Sequence, residues 1–235
     1  MADDSLSGDW RRLLDDGFVV LNEKEFGFSL EGREHIREKY FHDGVLKAYE
    51  NDLPVDRKRA RDVVRFAWRG GEPVLTEHDT ITIADRGERP EAREYGRVEV
   101  LADGVFEHWI KSALALVPPP WRDPKGTFGV NLFRTFTNVV TRPHQDGERV
   151  IFIYVLDKVG RGAETVLYET EAGGEPVFRG TLEPGALLVF EDSRFWHTVT
   201  PLEPLAGRTA QRDALVCTLN YAHTYPVRDW QPLPR

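Results

Sequence analysis

The stretch RVIFIYVLDK, residues 149–158, decides the fold class that we expect for this chain. Seven apolar or aromatic residues follow one another in it, and β-branched side chains dominate, which is typical of a strand buried on both faces. Similar short runs, separated by Gly, Pro, Asp and Asn, occur at 127–137, 165–170, 176–182, 185–192, 196–202 and 213–221. This regular spacing predicts a sandwich, a barrel or a jelly roll rather than alternating β-α units.

Helices are expected mainly before residue 120. The stretches SGDWRRLLDDG (7–17) and VFEHWIKSALALVPPP (105–120) repeat apolar residues at close to 3.6-residue spacing, and residues 30–66 show a charged, helix-like pattern. We see no clean domain boundary. The chain, residues 1–235, is therefore predicted to be one domain, in which mostly helical residues 1–120 support a β core.

One basic segment stands out in this first half, DRKRARDVVRFAWR at residues 56–69. Read as a helix, it places Arg57, Arg61 and Arg65 on one stripe and Val64 on another. We interpret the arginine stripe as a solvated helix face. A phosphate or nucleic-acid contact is the alternative interpretation, because the segment is basic within an acidic chain.

Composition excludes several classes of partner. The net charge of −8 argues against nucleic acid as the main partner, and no apolar run approaches the roughly 20 residues of a membrane helix. The start, MADDSLSGDW, lacks the basic and apolar regions of a signal peptide. Cys217 is the only cysteine, which excludes an internal disulfide. We expect a cytoplasmic protein with a small-molecule substrate, and a homodimer is compatible with the sequence.

The residues that point to chemistry come directly before the first run, in HQDG at 144–147. In an extended chain, His144 and Asp146 point to the same side, so that a nitrogen and a carboxylate oxygen converge. A polar turn is the alternative for this motif alone. A third ligand is available in His197, which lies 51 positions after Asp146 at the start of another β run. Two histidines and one carboxylate form the facial triad that suits non-haem Fe(II).

An oxygenase of this type also needs a co-substrate that supplies electrons. A 2-oxo acid such as 2-oxoglutarate would bind the iron through its keto acid end, and its distal carboxylate would need an arginine. Arg212 stands 15 residues after His197, at the entrance to the run DALVCTLNY. Arg208 lies in the loop-like stretch LAGRTAQ. We prefer Arg212, because a strand end fixes a guanidinium better than a loop does.

These motifs carry a family resemblance. The stretches VNLFRTFTNVVTRPHQDGERVIFIYVLDK, GAETVLYE, GALLVFEDSRFWHTVTPLEP and QRDALVCTLNY resemble iron(II)/2-oxoglutarate-dependent dioxygenases, and most closely the bacterial L-isoleucine 4-hydroxylase-like amino-acid hydroxylases. The resemblance implies a mainly β (α+β) fold with a double-stranded β-helix (jelly-roll, cupin-like) core over residues 121–225, flanked by helices. It also implies Fe(II) bound by His144, Asp146 and His197, and 2-oxoglutarate anchored by Arg212.

The same resemblance implies the reaction: hydroxylation of an unactivated C–H of a free amino acid, while 2-oxoglutarate and O₂ become succinate and CO₂. Ascorbate is the expected reductant in vitro. Three alternatives stay open on the sequence. They are an oxygenase acting on a peptide- or carrier-bound amino acid, a non-catalytic cupin-like metal- or ligand-binding module, and a zinc hydrolase.

Substrate contacts are harder to assign. Our first candidate is Arg134, for a carboxylate; Asn131, three residues earlier, is expected on the opposite face of the same strand. The weaker candidates, each with a structural role as the alternative, are Arg93, Arg97, Glu164, Asp192 and the histidine at position 223. We expect Phe152 and Tyr154 to be core residues rather than pocket lining. The alternative is that they face the site: they lie an even number of positions after Asp146 and would do so if Gly147 introduced no bulge.

Overall fold

The computed structural model describes residues 4–48, 57–77, 83–84, 92–93, 97–136 and 142–221. Seven strands of this part form a larger sheet: β1 (Phe18–Asn22), β2 (Arg57–Arg69), β3 (Glu72–Glu77), β6 (Lys125–Thr135), β7 (Val150–Val159), β11 (Ala186–Glu191) and β14 (Gln211–Asn220). Their spatial order is β1-β11-β7-β14-β6-β2-β3, and all neighbours are antiparallel. The predicted strands within 127–137, 149–158, 185–192 and 213–221 are thereby confirmed.

The remaining strands form smaller units. A three-stranded sheet contains β10 (Phe178–Thr181), β9 (Glu164–Tyr168) and β12 (Trp196–Val199), in that spatial order. Two short pairs join β4 (Ile83–Ala84) to β5 (Ala92–Arg93) and β8 (Arg161–Gly162) to β13 (Leu202–Glu203). The larger and the three-stranded sheet together form the double-stranded β-helix that the sequence predicted.

Three helices cover one face of the larger sheet: α1 (Asp4–Asp16), α2 (Leu30–Tyr40) and α3 (Gly104–Ala115). The core on this face includes Trp109 and Ile110 of α3, and Phe128 and Phe152 of the sheet. A second core lies on the opposite face, against the three-stranded sheet, and its members include Ile151, Ile153, Leu167, Leu188 and Phe190. Each strand of the larger sheet therefore divides its side chains between a helix side and an inter-sheet side.

Among the described residues, no helix combines the length and the hydropathy that crossing a membrane requires.

The helix interpretation of residues 56–69 is wrong, because residues 57–69 form strand β2. Ala60, Val64 and Phe66 are buried in the helix-side core. The odd-numbered arginines consequently lie on the inter-sheet side rather than on a solvated helix stripe. Pro54, where the helical pattern was expected to break, lies outside the described residues.

The side chain of Asp103 connects α2 to α3 through hydrogen bonds. Its buried carboxylate accepts hydrogen bonds from the backbone N–H of Val105 (2.9 Å), from Nε2 of His35 (2.8 Å) and from the hydroxyl of Tyr40 (3.1 Å), and it pairs with Nζ of Lys39 at 2.9 Å. Burial alone would raise the pKa of Asp103. The hydrogen bonds from Lys39, His35 and Val105 outweigh burial and hold this pKa well below its usual value.

We expect Asp103→Asn to lower the free energy of unfolding at pH 7 by about 2 kcal/mol, since the charged oxygen that His35, Tyr40 and Lys39 contact is replaced by a neutral amide NH₂. The pKa of Asp103 is lower in the folded protein than in the unfolded chain. Its contribution is therefore complete above about pH 4 and is lost as the pH falls further. Urea denaturation at several pH values should show a difference between variant and wild type that shrinks below pH 4. A constant difference would contradict this account.

Candidate active site

Three side chains that the sequence singled out as metal ligands meet at one point. One possible ligand atom each from His144, Asp146 and His197 lies within 4.8 Å of the others. Nε2 of His144 is 3.7 Å from Oδ1 of Asp146, and Nε2 of His197 is 3.7 Å from Oδ2 of the same carboxylate. Two nitrogens and one oxygen that converge at this spacing match the donor set of a facial triad.

Two backbone hydrogen bonds hold the histidines side by side. The N–H of His144 donates to the carbonyl of His197 at 3.1 Å, and the N–H of His197 donates back at 2.9 Å. His197 lies on β12, whereas His144 pairs with it through this isolated bridge outside any strand. The bridge brings the two ring centroids to 4.3 Å. The local backbone therefore fixes two of the three ligands relative to each other.

The hydrogen bond of His144 and the burial of His197 also suit a metal. Nδ1 of His144 lies 2.9 Å from the carbonyl oxygen of Arg142, so Nδ1 carries the proton and the lone pair of Nε2 is available. His197 is 8% exposed, and burial lowers its pKa to about 4, with the charge of Asp146 acting in the opposite direction. Its imidazole is therefore neutral at neutral pH, which is the form that binds a metal.

A fourth residue, Asp192, organises the loop that carries Asp146. Its carboxylate is fully buried and accepts hydrogen bonds from the backbone N–H groups of Asp146 (3.2 Å), Gly147 (2.6 Å) and Glu148 (2.9 Å). Its Oδ1 also lies 3.6 Å from Nδ1 of His197. The sequence suggested Asp192 only as a weak substrate contact. Its position directly after β11 was the one available signal for a role in shaping the loop.

The electrostatics of Asp192 follow from this position. Burial raises its pKa to about 6, and the nearby charge of Asp146 adds to the increase, while the N–H of Glu148 opposes it. Gln145 closes the loop from the other side, since its Nε2 donates to the backbone carbonyls of Asp192 (2.9 Å) and Ser193 (3.1 Å). The HxD loop is thus tied to the end of β11 by backbone and side-chain contacts.

Arg212 is a buried cation on the inter-sheet side of the larger sheet. Its side chain lies at the start of β14, the residue is only 9% exposed, and burial lowers its pKa to about 10. Within the described residues, neither Nε nor Nη2 of Arg212 has a hydrogen-bond partner. The hydroxyl of Thr165, on β9, is also buried without a partner in this part of the chain. A buried guanidinium needs a counter-charge, and a carboxylate supplies one in matching geometry.

The other arginine considered for this role is placed differently. Arg208 is exposed in the turn between β13 and β14, where its N–H donates to the carbonyl of Leu205. An exposed guanidinium in a turn is screened by water, so its ion pair with a ligand contributes much less binding free energy than that of a buried guanidinium.

Several predicted substrate residues are not brought to the triad. Arg134 faces the helix side, where it pairs with Asp213 at 2.7 Å and donates to the carbonyl of Phe41. Arg97 pairs with Asp62 and Glu77, and Glu164 with Arg179. These ion pairs engage Arg134, Arg97 and Glu164 within the fold. The side chain of Arg93 and the histidine at position 223 lie outside the described residues.

Phe152 and Tyr154 are core residues, as expected, and do not face the site. Both belong to the helix-side core, and the hydroxyl of Tyr154 donates to Glu23 at 2.6 Å. Gly147 has a φ of +75°, and residues 145–148 are not in a strand. The alternation of side chains between the two faces therefore does not continue from Asp146 into β7. Asn131, by contrast, lies on the inter-sheet side, where its Nδ2 donates to the carbonyl of Val216 at 3.0 Å.

Comparisons with known proteins agree with this geometry. A sequence model described as 2OG-Fe dioxygenase matches residues 51–218, which is more than half of the chain. No curated protein matches the sequence.

Solved structures with the same fold include a bsmA homologue from Methylobium petroleophilum PM1 (TM-score 0.74, 20% identity, 92% of both chains covered). IDO from Bacillus thuringiensis gives a TM-score of 0.67 at 16% identity, covering 92% of this chain and 99% of that chain. A prolyl-4-hydroxylase from Pseudomonas putida gives 0.54 at 15% identity, covering 92% and 98%. At these identities the likeness shows the fold alone.

Proposed function

Because the chain belongs to the 2OG-Fe dioxygenase family, we propose that it hydroxylates an unactivated C–H of a free amino acid or close derivative. Family membership implies Fe(II), 2-oxoglutarate and O₂ as the reactants. The finer assignment, to amino-acid hydroxylases like the L-isoleucine 4-hydroxylases, draws on the resemblance of the HxD and QRDALV stretches. The observation that carries the proposal is the pairing of a compact His-Asp-His triad with a buried arginine whose Nε and Nη2 have no hydrogen-bond partner among the described residues.

The residues of the chain have separate tasks in this proposal. His144, Asp146 and His197 would hold the iron, which when bound supplies the activation of O₂. Arg212 would neutralise the distal carboxylate of 2-oxoglutarate, and Thr165 would offer that carboxylate a hydroxyl. Asp192 keeps the loop of Asp146 in place, so that the three ligands are arranged before the metal binds.

The alternative of a non-catalytic metal-binding module is weakened by Arg212. Burying a guanidinium whose Nε and Nη2 lack partners, as is the case within the described residues, costs free energy, and a module that binds only a metal has no use for it. A zinc hydrolase would need a positioned general base. The carboxylate of Asp192, the candidate next to the triad, is instead occupied by three backbone N–H groups.

We expect succinate formation to depend on Fe(II), 2-oxoglutarate, O₂ and an amino acid. The protein is prepared anaerobically with Fe(II), 2-oxoglutarate and ascorbate, O₂ is admitted, and succinate is measured across the proteinogenic L-amino acids. The Fe(II)/2-oxoglutarate charge-transfer band is recorded before O₂ is added. Absence of the band together with absence of succinate would contradict the dioxygenase assignment. The band together with succinate from a peptide but from no free amino acid would move the substrate to the bound form.

A further inference from the structure

The basic strand β2 shares a face with the site. Val216 packs against the inter-sheet core, Asn131 is the register partner of Val216, and Arg61 is the register partner of Asn131. Directly paired residues of neighbouring antiparallel strands point to the same face of a sheet. Arg61 and Asn131 therefore lie on the inter-sheet side.

Ring contacts support this orientation independently. Phe133 lies two positions after Asn131 and so shares its face. The guanidinium carbons of Arg57 and Arg59 lie 4.5 and 5.9 Å from the centroid of the Phe133 ring. The odd-numbered arginines of β2 are thus turned toward the inter-sheet side.

The pair lies on the same face of the sheet as Phe190, which contacts His197, one row further along the strands and three to four places across the sheet from β11. Phe190, whose ring centroid is 5.2 Å from that of His197, occupies the row that continues through Ile151 and Thr218 across the sheet. The next row on the same face runs through Val216 to Asn131 and Arg61. Arg212 lies two same-face rows further on, so the co-substrate anchor and the Arg61–Asn131 pair occupy different positions.

The chemistry of the pair is complementary to an amino-acid head group. The Nδ2 of Asn131 is used in its hydrogen bond to the carbonyl of Val216, which directs its Oδ1 away from that strand as an acceptor. Arg61 supplies only donors, in a planar fork that fits a carboxylate. The Cβ atoms of such a directly opposite pair are about 5 Å apart. The two side chains can therefore reach a carboxylate and an ammonium that are attached to one carbon.

We propose that Arg61 binds the α-carboxylate of the substrate and that Oδ1 of Asn131 accepts a hydrogen bond from its α-ammonium. This inference rests on the proposed function and narrows it, since it requires a substrate whose two α-groups are both free. A residue of a peptide interior, which has neither group, would not satisfy the pair. Asn131, predicted from the sequence as a substrate residue, keeps that role, and Arg61 takes the one first suggested for Arg134.

The test pairs a protein variant with a substrate analogue. Each amino acid that stimulates succinate formation in the wild type is compared with its α-carboxamide, which lacks the negative charge. We expect the wild type to prefer the acid by about 100-fold in kcat/KM. In Arg61→Gln, activity with the acid should fall by about 100-fold, so that acid and carboxamide become nearly equal. Arg61→Lys, which keeps the charge but loses the planar fork, should lie between the two.

Lys58→Gln is the matched control. Lys58 lies on the same strand and loses the same charge, but it faces the helix side, where its Nζ pairs with Asp43 at 2.7 Å. The ratio of kcat/KM for the acid to that for the carboxamide in Lys58→Gln should stay within about twofold of the wild-type ratio, because surface charges act weakly. Anaerobic calorimetry with the same amino acid should show the same loss of affinity in Arg61→Gln as the kinetics.

The possible failures are distinguishable. A wild type without the charge-transfer band and without succinate from any amino acid would overturn the proposed function itself. A wild type stimulated by amino acids, whose preference for the acid survives in Arg61→Gln, would overturn this inference alone. Loss of the charge-transfer band in Arg61→Gln would also overturn it, because Arg61 would then serve the co-substrate.

Discussion

Replacing His197 with alanine should abolish Fe(II)-dependent succinate formation, with kcat falling by at least about 1,000-fold. The residue supplies one of three donor atoms that lie within 4.8 Å of one another, and two donors hold a divalent ion poorly. His144→Ala and Asp146→Ala should have the same effect. Each should also remove the Fe(II)/2-oxoglutarate charge-transfer band and lower the iron content after anaerobic loading and desalting.

His108→Ala is the control for these variants. His108 is a histidine of α3 whose Nε2 contacts the carbonyl of Gly27 at 3.1 Å, away from the triad. Its loss should leave iron content and the band unchanged. Wild-type iron content in His197→Ala would show that the metal, if bound, is held elsewhere.

Arg212→Met should raise the KM for 2-oxoglutarate by at least about 100-fold, since a buried bidentate charge pair is lost. The same substitution should increase the free energy of unfolding of the protein without ligands by about 1–3 kcal/mol. It replaces by an apolar side chain a buried guanidinium whose Nε and Nη2 have no hydrogen-bond partner in the described part of the chain. The two effects have opposite signs, which few structural roles would produce. Steady-state kinetics with varied 2-oxoglutarate and urea denaturation measure them separately.

Arg208→Met provides the comparison. This arginine is exposed in a turn, so both its co-substrate affinity and its stability should match the wild type. If Arg208→Met weakened 2-oxoglutarate binding while Arg212→Met did not, the assignment of the anchor would be reversed.

The strands after residue 125 were predictable because their burial is visible in their composition. Residues 150–156 of β7 are all apolar or aromatic, and the structure buries them on both faces. The triad was predictable for a similar reason, since His144, Asp146 and His197 belong to short motifs at strand boundaries. Local sequence carried most of the information needed in both cases.

Strand β2 was misread because a charge interrupts its pattern. Its even-numbered residues from 60 to 66 are buried, but one of them is Asp62, which receives hydrogen bonds from the backbone N–H groups of Val63 and Val100 and from Arg97. Two of these partners are more than 30 residues away along the chain, so the sequence gives no sign that a carboxylate is tolerated there. The arginines spaced by four residues then fit a helix as well as a strand.

The orientation of individual side chains could not be predicted from the sequence for a related reason. The sequence suggested Arg134 as a ligand for a carboxylate. It does not show that Arg134 is paired with Asp213, which lies 79 residues later on β14. Gly147, in a left-handed backbone conformation, interrupts the alternation of side-chain directions between Asp146 and β7. Both features depend on contacts or dihedral angles that composition does not encode.

The edge strand β1 has a consequence for iron binding. It shields the outer edge of β11, and the carbonyl of Gly17 accepts a hydrogen bond from the N–H of Glu191, the residue before Asp192. Proteolytic removal of residues 4–22 would expose an unpaired apolar edge and invite edge-to-edge aggregation. It would also loosen the turn from which Asp192 holds the loop of Asp146. A segment far from the triad in sequence would thus govern how well the protein retains its metal.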